Sequence, residues 1–207
     1  MARNLLCPMK QFTNKSDLRD HLQTIRASLS DVNYVSASQS ICSVLSSLPF
    51  WKEGACAHVF WPMIEKREPD IRPFIRTLLQ RQLKVVLPVV KIFSREHVPG
   101  GRMVQQELTS FHAVHQNERG MTEPDGESIV SIEEIDVIVV PAMGIDRAGY
   151  RIGYGFGYYD EFLATMEIPS ICPIFARCVV DSVPHEAHDI PVSMVVTEEN
   201  AFRVKKT

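Results

Sequence analysis

The sequence lacks the features that mark several large classes of protein. Its 207 residues contain no apolar run near the roughly 18 residues that a membrane-spanning helix needs. The 22 basic residues are slightly outnumbered by 25 acidic ones, so no excess of positive charge attracts nucleic acid or a membrane surface. We therefore expect neither a membrane nor a nucleic acid as a partner.

Cysteine is scarce, and its five positions form no CxxC pair: Cys7, Cys42, Cys56, Cys172 and Cys178. An odd, scattered set does not indicate a disulfide framework or a structural zinc site, and we predict a cytoplasmic location. Cys172 and Cys178 have no glycine-rich elbow or paired histidine nearby. We interpret them as buried structural thiols rather than as nucleophiles.

The remaining composition is that of one globular domain. Hydrophobic residues make up 45% and charged residues 23% of the chain, which supplies a core and excludes disorder. The apolar patch at residues 5–9 is interrupted by Pro8 and is shorter than the roughly 7–15 residues of a signal-peptide core. We expect residues 1–14 to form a flexible leader and residues 15–207 to form a single domain.

A stripe of basic residues accompanies the first predicted helix, residues 16–29. Apolar residues recur there at helical spacing and form one face. At about 100° per residue, Lys15, Arg19 and Arg26 fall within about 40° of one another beside that face. The stripe is either a solvated basic edge or a set of cations that reaches a neighbouring anionic site. Periodicity alone favours the solvated edge.

Apolar segments typical of buried strands alternate with segments of helical periodicity. The predicted strands are residues 55–61, 85–90, 136–140, 171–176 and 192–197. The other predicted helices are residues 36–47, residues 71–79 behind an Asp70 cap, and residues 158–166. Glycine and proline punctuate residues 94–134, where we expect short strands and loops. The alternation predicts an α/β domain with a mostly parallel central sheet flanked by helices, whose ligands bind beyond the carboxyl ends of the strands.

The clearest candidate for a ligand-binding segment is residues 141–160, which follow the third predicted strand. Five of the ten glycines lie between positions 144 and 157, and glycine lets backbone N–H groups converge on an anion. Arg151 adds a positive charge, and Asp160 follows where a carboxylate could hold Mg²⁺ near phosphate oxygens. The segment has neither a Walker A ending nor dinucleotide-binding spacing. A phosphate-binding loop is favoured over a tight surface turn.

Residues 151–160, Arg-Ile-Gly-Tyr-Gly-Phe-Gly-Tyr-Tyr-Asp, resemble the signature of the 5-formyltetrahydrofolate cyclo-ligase (methenyltetrahydrofolate synthetase) family. The likeness continues in four further places. These are Lys15-x-x-Leu18-Arg19 with Arg26, Glu68-Pro69-Asp70-Ile71, the Gly-Met-Thr-Glu-Pro of residues 120–124, and residues 184–192. In order and spacing, these motifs cover roughly residues 15–200.

The resemblance implies a Rossmann-like three-layer fold of the NagB/RpiA/CoA-transferase type. It implies ATP- and Mg²⁺-dependent conversion of 5-formyltetrahydrofolate to 5,10-methenyltetrahydrofolate, with release of ADP and phosphate. The formyl oxygen would attack the γ-phosphate to give a phosphorylated imidate, and N10 would then close the ring. Positioning and charge neutralisation would be the main work of the protein, and the expected partners of a monomer are the folate and ATP.

The resemblance also implies roles for individual residues. The nucleotide-binding residues would be Lys15, Arg19, Arg151, Ile152, Gly153, Tyr154, Gly155, Phe156, Gly157, Tyr158 and Tyr159. Arg151 and Tyr159 would be catalytic, and Asp160 and Asp189 would be the Mg²⁺ carboxylates. The folate would meet Trp61, Glu68, Tyr154 and Tyr158. On this interpretation the basic stripe of the first helix is a phosphate clamp.

The chain departs from the family pattern in four places. Ile145 replaces a phenylalanine that a core position should tolerate losing, and Lys66-Arg67 lengthen the loop before Glu68, so that Glu68 matches its position better than Trp61 does. Phe156 stands where some members carry lysine or glycine, and Ala-Arg-Cys at 176–178 replaces an aromatic-x-x-Gln stretch. These last two departures leave open a repurposed nucleotide-binding member of the same fold without cyclo-ligase activity.

Two histidine pairs suggest a further alternative, a zinc site. His185 and His188 precede Asp189 at a spacing that could share an ion, and His112 and His115 form a second pair. No third ligand is evident beside the second pair. Ordinary loop histidines are the favoured interpretation.

Overall fold

The structure is a computed structural model that describes residues 12–95, 98–118 and 120–204. Within these ranges it has four α-helices: α1 (Lys15–Ala27), α2 (Asp31–Ser47), α3 (Arg72–Gln80) and α4 (Tyr158–Ala164). Most of the predicted leader, residues 1–14, lies outside the described residues. Asn14 is the N-cap of α1, and its side chain accepts a hydrogen bond from the backbone N–H of Asp17 at 2.8 Å.

Thirteen strands are described in the same ranges. They are β1 (Cys56–His58), β2 (Lys84–Arg95), β3 (Val98–Glu107), β4 (Val114–Gln116), β5 (Thr122–Pro124), β6 (Ile129–Val130), β7 (Val137–Val139), β8 (Gly144–Asp146), β9 (Arg151–Ile152), β10 (Ser170–Pro173), β11 (Val179–Val180), β12 (Met194–Val196) and β13 (Ala201–Arg203). No helix of the described residues is long and apolar enough to cross a membrane.

Eight strands form the central sheet, in the order β13-β12-β10-β7-β1-β2-β3-β6. The five strands from β12 to β2 are parallel, and the outer strands β13, β3 and β6 pair antiparallel. Every residue of β1, β7, β10 and β12 is buried, which is why these strands appear in the sequence as continuous apolar runs. The prediction of an α/β fold with a mostly parallel sheet is confirmed, and the five predicted strands are the five parallel ones.

The segment between β2 and β7 differs from its prediction as short strands and loops. β2 extends over twelve residues and pairs antiparallel with the ten residues of β3, and Gly100 and Gly101 lie inside that ladder. Backbone pairing with a long neighbour holds these glycines extended, although glycine weakens an isolated strand. The short strands β4, β5 and β6 that follow agree with the prediction.

Several helix ends also differ from their predictions, and α2 begins at Asp31, behind the N-cap Ser30, rather than at residue 36. The N-cap of α3 is Ile71 rather than Asp70. The Asp70 carboxylate still accepts the backbone N–H of Arg72 at 3.2 Å, and it also binds the guanidinium of Arg72 through two hydrogen bonds of 2.7 Å. Pro73 lies in the first turn, where its missing N–H costs nothing. The last predicted helix ends at Ala164 and has only seven residues, so its dipole contributes little to the glycine-rich segment before it.

The glycine-rich segment packs directly against α1. β8 and β9 form an antiparallel hairpin within it, and β11 completes a three-stranded sheet. A Cβ at Gly144 would overlap Leu22 Cδ1 and lie 3.2 Å from the carbonyl oxygen of Cys178. Glycine therefore lets α1 bury Leu22 completely against β8, a burial that stabilises the fold by about 1.5–3 kcal/mol. This packing fixes the distance between the helix and the segment.

Candidate active site

A cleft of about 1210 Å³ opens beyond the carboxyl ends of β1 and β7, as expected for a parallel sheet. Every residue that the sequence assigned to the site lines it. These residues are Lys15, Arg19, Trp61, Glu68, the whole of Arg151 to Asp160, and Asp189. The structure thus brings together residues from both ends of the chain, while their individual roles stay predictions.

The three basic residues of α1 all reach across to the opposite wall. Lys15 Nζ lies 2.6 Å from Asp189 Oδ2, and Arg19 Nε donates a hydrogen bond of 2.8 Å to the carbonyl oxygen of Gly153. Arg26 is buried and donates to the carbonyl oxygen of Ala142. The interpretation of the stripe as a solvated edge is therefore wrong, because each cation is directed inward.

The turn between β9 and α4 is shaped by its glycines. Gly155 has a φ of +100° and Gly157 a φ of +73°, in the region that favours glycine. A Cβ at Gly155 would lie 3.3 Å from Arg19 Nη2. Between the two glycines, the Phe156 side chain is 76% exposed, and its ring stacks at 5.9 Å from that of Tyr158. The turn therefore presents backbone and aromatic surface to the cleft, with a guanidinium against it.

Arg151 ties the glycine-rich segment to the chain around residue 190. Its Nη1 donates to the carbonyl oxygen of Ile190 at 2.6 Å, and its Nη2 lies 3.2 Å from Asp160 Oδ1. The same carboxylate oxygen accepts the backbone N–H of Ile190 at 3.1 Å. Because only 5% of the Arg151 side chain is exposed, this ion pair is shielded from solvent more than a surface pair would be.

Two carboxylates, Asp160 and Asp189, face the cleft beside these cations. Asp189 Oδ2 accepts from both Lys15 and the backbone N–H of Glu186. Partial burial opposes ionisation, but these hydrogen bonds outweigh it and lower the pKa of Asp189. In the described residues, the second oxygens, Asp160 Oδ2 and Asp189 Oδ1, have no hydrogen-bond partner. Two hard oxygen ligands fit Mg²⁺, which takes few protein carboxylates and keeps several waters.

A buried carboxylate also lines the cleft, in contact with a tyrosine of the glycine-rich turn. Glu68 is 2% exposed, and its Oε1 accepts a hydrogen bond from the Tyr154 hydroxyl at 3.0 Å. Its Oε2 accepts the backbone N–H of Met63 at 2.8 Å. Burial raises the pKa of Glu68, and these donors and the charge of Arg26 oppose the rise. Trp61 forms an adjoining aromatic wall.

Tyr159 is held differently from the other aromatic residues of the segment. Its hydroxyl group is buried and has no hydrogen-bond partner in the described residues, and burial raises its pKa. Its ring lies 5.9 Å from the buried imidazole of His58, whose pKa burial lowers to about 3. Tyr159 and His58 are therefore both neutral. Because the Tyr159 hydroxyl is buried, a ligand in the cleft would contact the ring of Tyr159 rather than its hydroxyl group.

The histidines that suggested zinc have other partners. The His185 ring stacks on Tyr150 at 3.6 Å, and its Nδ1 lies 3.0 Å from the carbonyl oxygen of Val183. His115 lies 2.9 Å from Asp125. In the part of the chain that the structure describes, no three histidine, cysteine or carboxylate side chains converge on one point. These contacts favour ordinary loop histidines.

The four cysteines within the described residues are buried and unpaired. Burial raises the pKa of Cys172 to about 12, which keeps the thiol protonated and supports the interpretation as structural thiols. Cys7 lies outside the described residues.

Sequence reasoning missed the apolar wall opposite the glycine-rich turn. It comes from the 3₁₀ turn at Ile64–Lys66, the β2–β3 hairpin and the residues around β5, and includes Met63, Met103 and Met121. Isolated methionines carry no periodic signal, and the topology alone brings these three together. The one signal in the sequence was the Gly-Met-Thr-Glu-Pro motif at 120–124.

The fold and the cleft are those of an α/β protein that combines inward-facing cations, a glycine-rich turn and paired carboxylates, an arrangement typical of phosphate-handling enzymes. The chain belongs to the 5-formyltetrahydrofolate cyclo-ligase family, whose model matches residues 11–198. The family consists of ligases of folate one-carbon metabolism, and the resemblance inferred from the motifs is confirmed.

Individual relatives match over nearly their whole length. The chain is 29% identical over 197 residues to the 5-formyltetrahydrofolate cyclo-ligase of Mycolicibacterium smegmatis, covering 91% of this chain and 96% of that one. It is 30% identical over 207 residues to a probable 5-formyltetrahydrofolate cyclo-ligase of Schizosaccharomyces pombe, covering 91% and 97%.

Solved structures agree with the fold. The structure of the 5,10-methenyltetrahydrofolate synthetase of Aquifex aeolicus superposes with a TM-score of 0.79 at 30% identity, covering 93% of this chain and 94% of that chain. A 5,10-methenyltetrahydrofolate synthetase of Mycoplasma pneumoniae superposes with a TM-score of 0.69 at 20% identity, covering 89% and 99%. The second likeness shows the fold alone.

Proposed function

We propose that the protein is a 5-formyltetrahydrofolate cyclo-ligase that uses ATP and Mg²⁺ to form 5,10-methenyltetrahydrofolate, ADP and phosphate. One observation carries the proposal: a single cleft holds a cationic, glycine-rich end and an end with a buried carboxylate and an aromatic wall, and Tyr154 joins the two. Two chemically different ligands can therefore lie side by side in it. Membership of the family supports the same conclusion.

The cationic end suits the triphosphate. Lys15 and Arg19 would exchange their present partners for phosphate oxygens, and the backbone of Gly153 to Gly157 would wrap the phosphates. Arg151 would neutralise charge that develops on the transferred phosphoryl group, with Tyr159 beside it. Asp160 and Asp189 would hold Mg²⁺, whose positive charge would offset the charge of the phosphates.

The other end suits the pterin ring of the folate. Ionised Glu68 would accept hydrogen bonds from the amino and ring N–H groups of the pterin, with Tyr154 fixing its orientation. Trp61 and Tyr158 would pack against the aromatic parts of the substrate. The residues thereby hold the formyl oxygen towards the γ-phosphate and exclude water from the phosphorylated intermediate.

The chemistry then needs two bond exchanges. The formyl oxygen attacks the γ-phosphorus, and the bond from that phosphorus to the bridging oxygen of ADP breaks. N10 next attacks the activated formyl carbon, the carbon–oxygen bond to phosphate breaks, and the N10 proton leaves to solvent. We propose that one chain in the cytoplasm performs this reaction as a monomer, because a single chain supplies every residue assigned to the site.

The direct test follows methenyltetrahydrofolate absorbance with purified protein, 5-formyltetrahydrofolate, ATP and Mg²⁺. We expect turnover by the wild type, and Asp160→Ala to raise the Mg²⁺ concentration for half-maximal rate by about tenfold or more. Asp181→Ala, which removes an exposed carboxylate outside the cleft, is the matched control and leaves this concentration unchanged.

Two outcomes contradict the proposal in different ways. Absence of product at high enzyme concentration, with ATP binding retained, indicates a repurposed nucleotide-binding protein. The exposed Phe156 in the glycine-rich turn is the observation that favours this alternative. Full activity of Asp160→Ala at unchanged Mg²⁺ dependence removes only the metal assignment.

A further inference from the structure

A second, smaller cavity of about 280 Å³ adjoins the cleft. We call it the side cavity; it is lined by Asp70, Arg72, Pro73, Arg76 and Phe111. Arg72 lines both the side cavity and the cleft. The two spaces are therefore neighbours that share a guanidinium at their boundary.

The charges of the side cavity do not cancel. Asp70 is neutralised by Arg72, whose Nε and Nη2 each lie 2.7 Å from a carboxylate oxygen. Arg76 takes part in no ion pair of the described residues, and its guanidinium carbon lies 4.3 Å above the centre of the Phe111 ring. The Arg72 Nη1 group has no hydrogen-bond partner there either. One unpaired cation and a spare donor thus face a cavity, which suits an anion.

An aromatic path joins the side cavity to the cleft. The Phe111 ring that carries Arg76 lies 5.2 Å from the ring of Trp61, which lines the cleft as Glu68 does. A ligand that packs on Trp61 therefore meets Phe111 next and Arg76 after it. This order of surfaces is aromatic, aromatic and cation.

We propose that the side cavity binds the carboxylates of the glutamate moiety of the folate substrate, with Arg76 as the principal donor and Arg72 Nη1 as the second. The assignment rests on the proposed function. The substrate carries a hydrogen-bonding pterin at one end, an aromatic aminobenzoyl group in its middle, and an α- and a γ-carboxylate at the other end. This order matches the order of surfaces, and a guanidinium fork suits a carboxylate.

The test combines a protein variant with a truncated substrate. KM is measured for 5-formyltetrahydrofolate and for 5-formyltetrahydropteroate, which lacks the glutamate, with the wild type and with Arg76→Ala. We expect Arg76→Ala to raise KM for the complete folate by about tenfold, as for loss of one charge-assisted hydrogen bond. KM for the truncated substrate and KM for ATP stay at the wild-type values.

Arg147→Ala is the matched control, because Arg147 is also exposed and also lies over an aromatic ring, Phe202, at 5.7 Å, but lines neither space. We expect it to change neither KM. Calorimetric titration of both folates into both proteins gives the same comparison without turnover.

The outcomes separate the two proposals. An equal rise in KM or Kd for both folates, or no rise for either, overturns the side-cavity assignment and leaves the cyclo-ligase activity intact. Absence of both turnover and folate binding in the wild type removes the proposed function, and the assignment with it.

Discussion

At the scale of single residues, Glu68 is the most buried carboxylate of the described residues and has a direct functional assignment. Its carboxylate has two donors, the Tyr154 hydroxyl and the backbone N–H of Met63, yet it lies almost wholly out of water. Moving a carboxylate out of water costs more free energy than two hydrogen-bond donors give back, as long as no substrate supplies further donors. The folded protein therefore holds this carboxyl group at a raised pKa.

A pH dependence of stability follows. A raised pKa means that the folded state binds the proton more tightly than the unfolded state, so the free energy of unfolding falls as pH rises above the ordinary value of 4.5. We expect Glu68→Gln to remove the part of this fall in the free energy of unfolding that the Glu68 carboxyl group causes. Urea unfolding of both proteins over a pH series that starts below 4.5 measures it, and the stability of the wild type relative to the variant should fall as pH rises above that value.

The control is Glu161→Gln, which removes an exposed carboxylate that lines the same cleft. Its stability should follow the wild type over the whole pH range. Parallel curves for Glu68→Gln and the wild type would show that burial does not raise the pKa of this carboxyl group.

At the scale of elements, the glycine-rich turn depends on a few backbone angles. Alanine at Gly155 would have to adopt a φ of +100° and would crowd Arg19 Nη2. We expect Gly155→Ala to lower the free energy of unfolding by about 1–2 kcal/mol and to raise the Kd for ATP, because the turn and the guanidinium shift together. Thermal unfolding and titration with ATP give the two values.

Gly153 offers the comparison within the same turn. Its backbone lies outside the positive-φ region, nothing lies within 4 Å of an added Cβ, and its carbonyl oxygen would still accept the hydrogen bond from Arg19. Gly153→Ala should therefore stay close to the wild type in both measurements. An equal loss in the two variants would mean that the turn requires small size rather than backbone freedom.

The elements differ in how far the sequence could predict them. Buried parallel strands such as β1 and β7 show as apolar runs because both of their faces are covered. The ladder of β2 and β3 does not, because its hydrogen bonds depend on a partner that local periodicity cannot indicate, and Gly100 and Gly101 suggest a loop. The same limit applies to Arg76. The sequence shows only an arginine on an exposed helix face, and the contact with the Phe111 ring that suggests a binding role exists only in the folded structure.

The site shows the same division. Motifs contiguous in the sequence, such as residues 151–160, identify one wall of the cleft by their residue types and spacing alone. The direction of the basic stripe could not be predicted, since a solvated and an inward-facing stripe have the same spacing. Contacts with Asp189 and Gly153 decide between them.

At the scale of the whole molecule, the net charge of −3 and the ion pairs of the cleft bear on how a nucleotide arrives. Of the three cations assigned to the nucleotide, Lys15 and Arg151 are already paired with carboxylates, and Arg19 contacts an uncharged carbonyl group, so ion pairing reduces the positive field of the cleft. We expect the association rate of a fluorescent ATP analogue to fall by less than about threefold between about 0.02 and 0.2 M NaCl, because electrostatic steering is what salt screens. Stopped-flow fluorescence measures this rate.

The matched variant is Asp189→Asn, which leaves Lys15 without its 2.6 Å partner. Its association rate should be higher at low salt and should depend more steeply on salt than that of the wild type. If the association rate of the wild type depended on salt as steeply as that of the variant, the ion pair would not reduce the electrostatic attraction of the nucleotide.

The contact between Lys15 and Asp189 also has a consequence for how the molecule comes to be folded. These residues are separated by 174 positions, and the contacts of Arg19 and Arg26 with the opposite wall span 134 and 116. Contacts of such high order form late, since a long loop must close before they return any free energy. In a chain emerging from the ribosome, the first helix is synthesised early, and Leu18 and Leu22 remain exposed at that stage. The helix can pack in its native position only after nearly the whole chain has been synthesised.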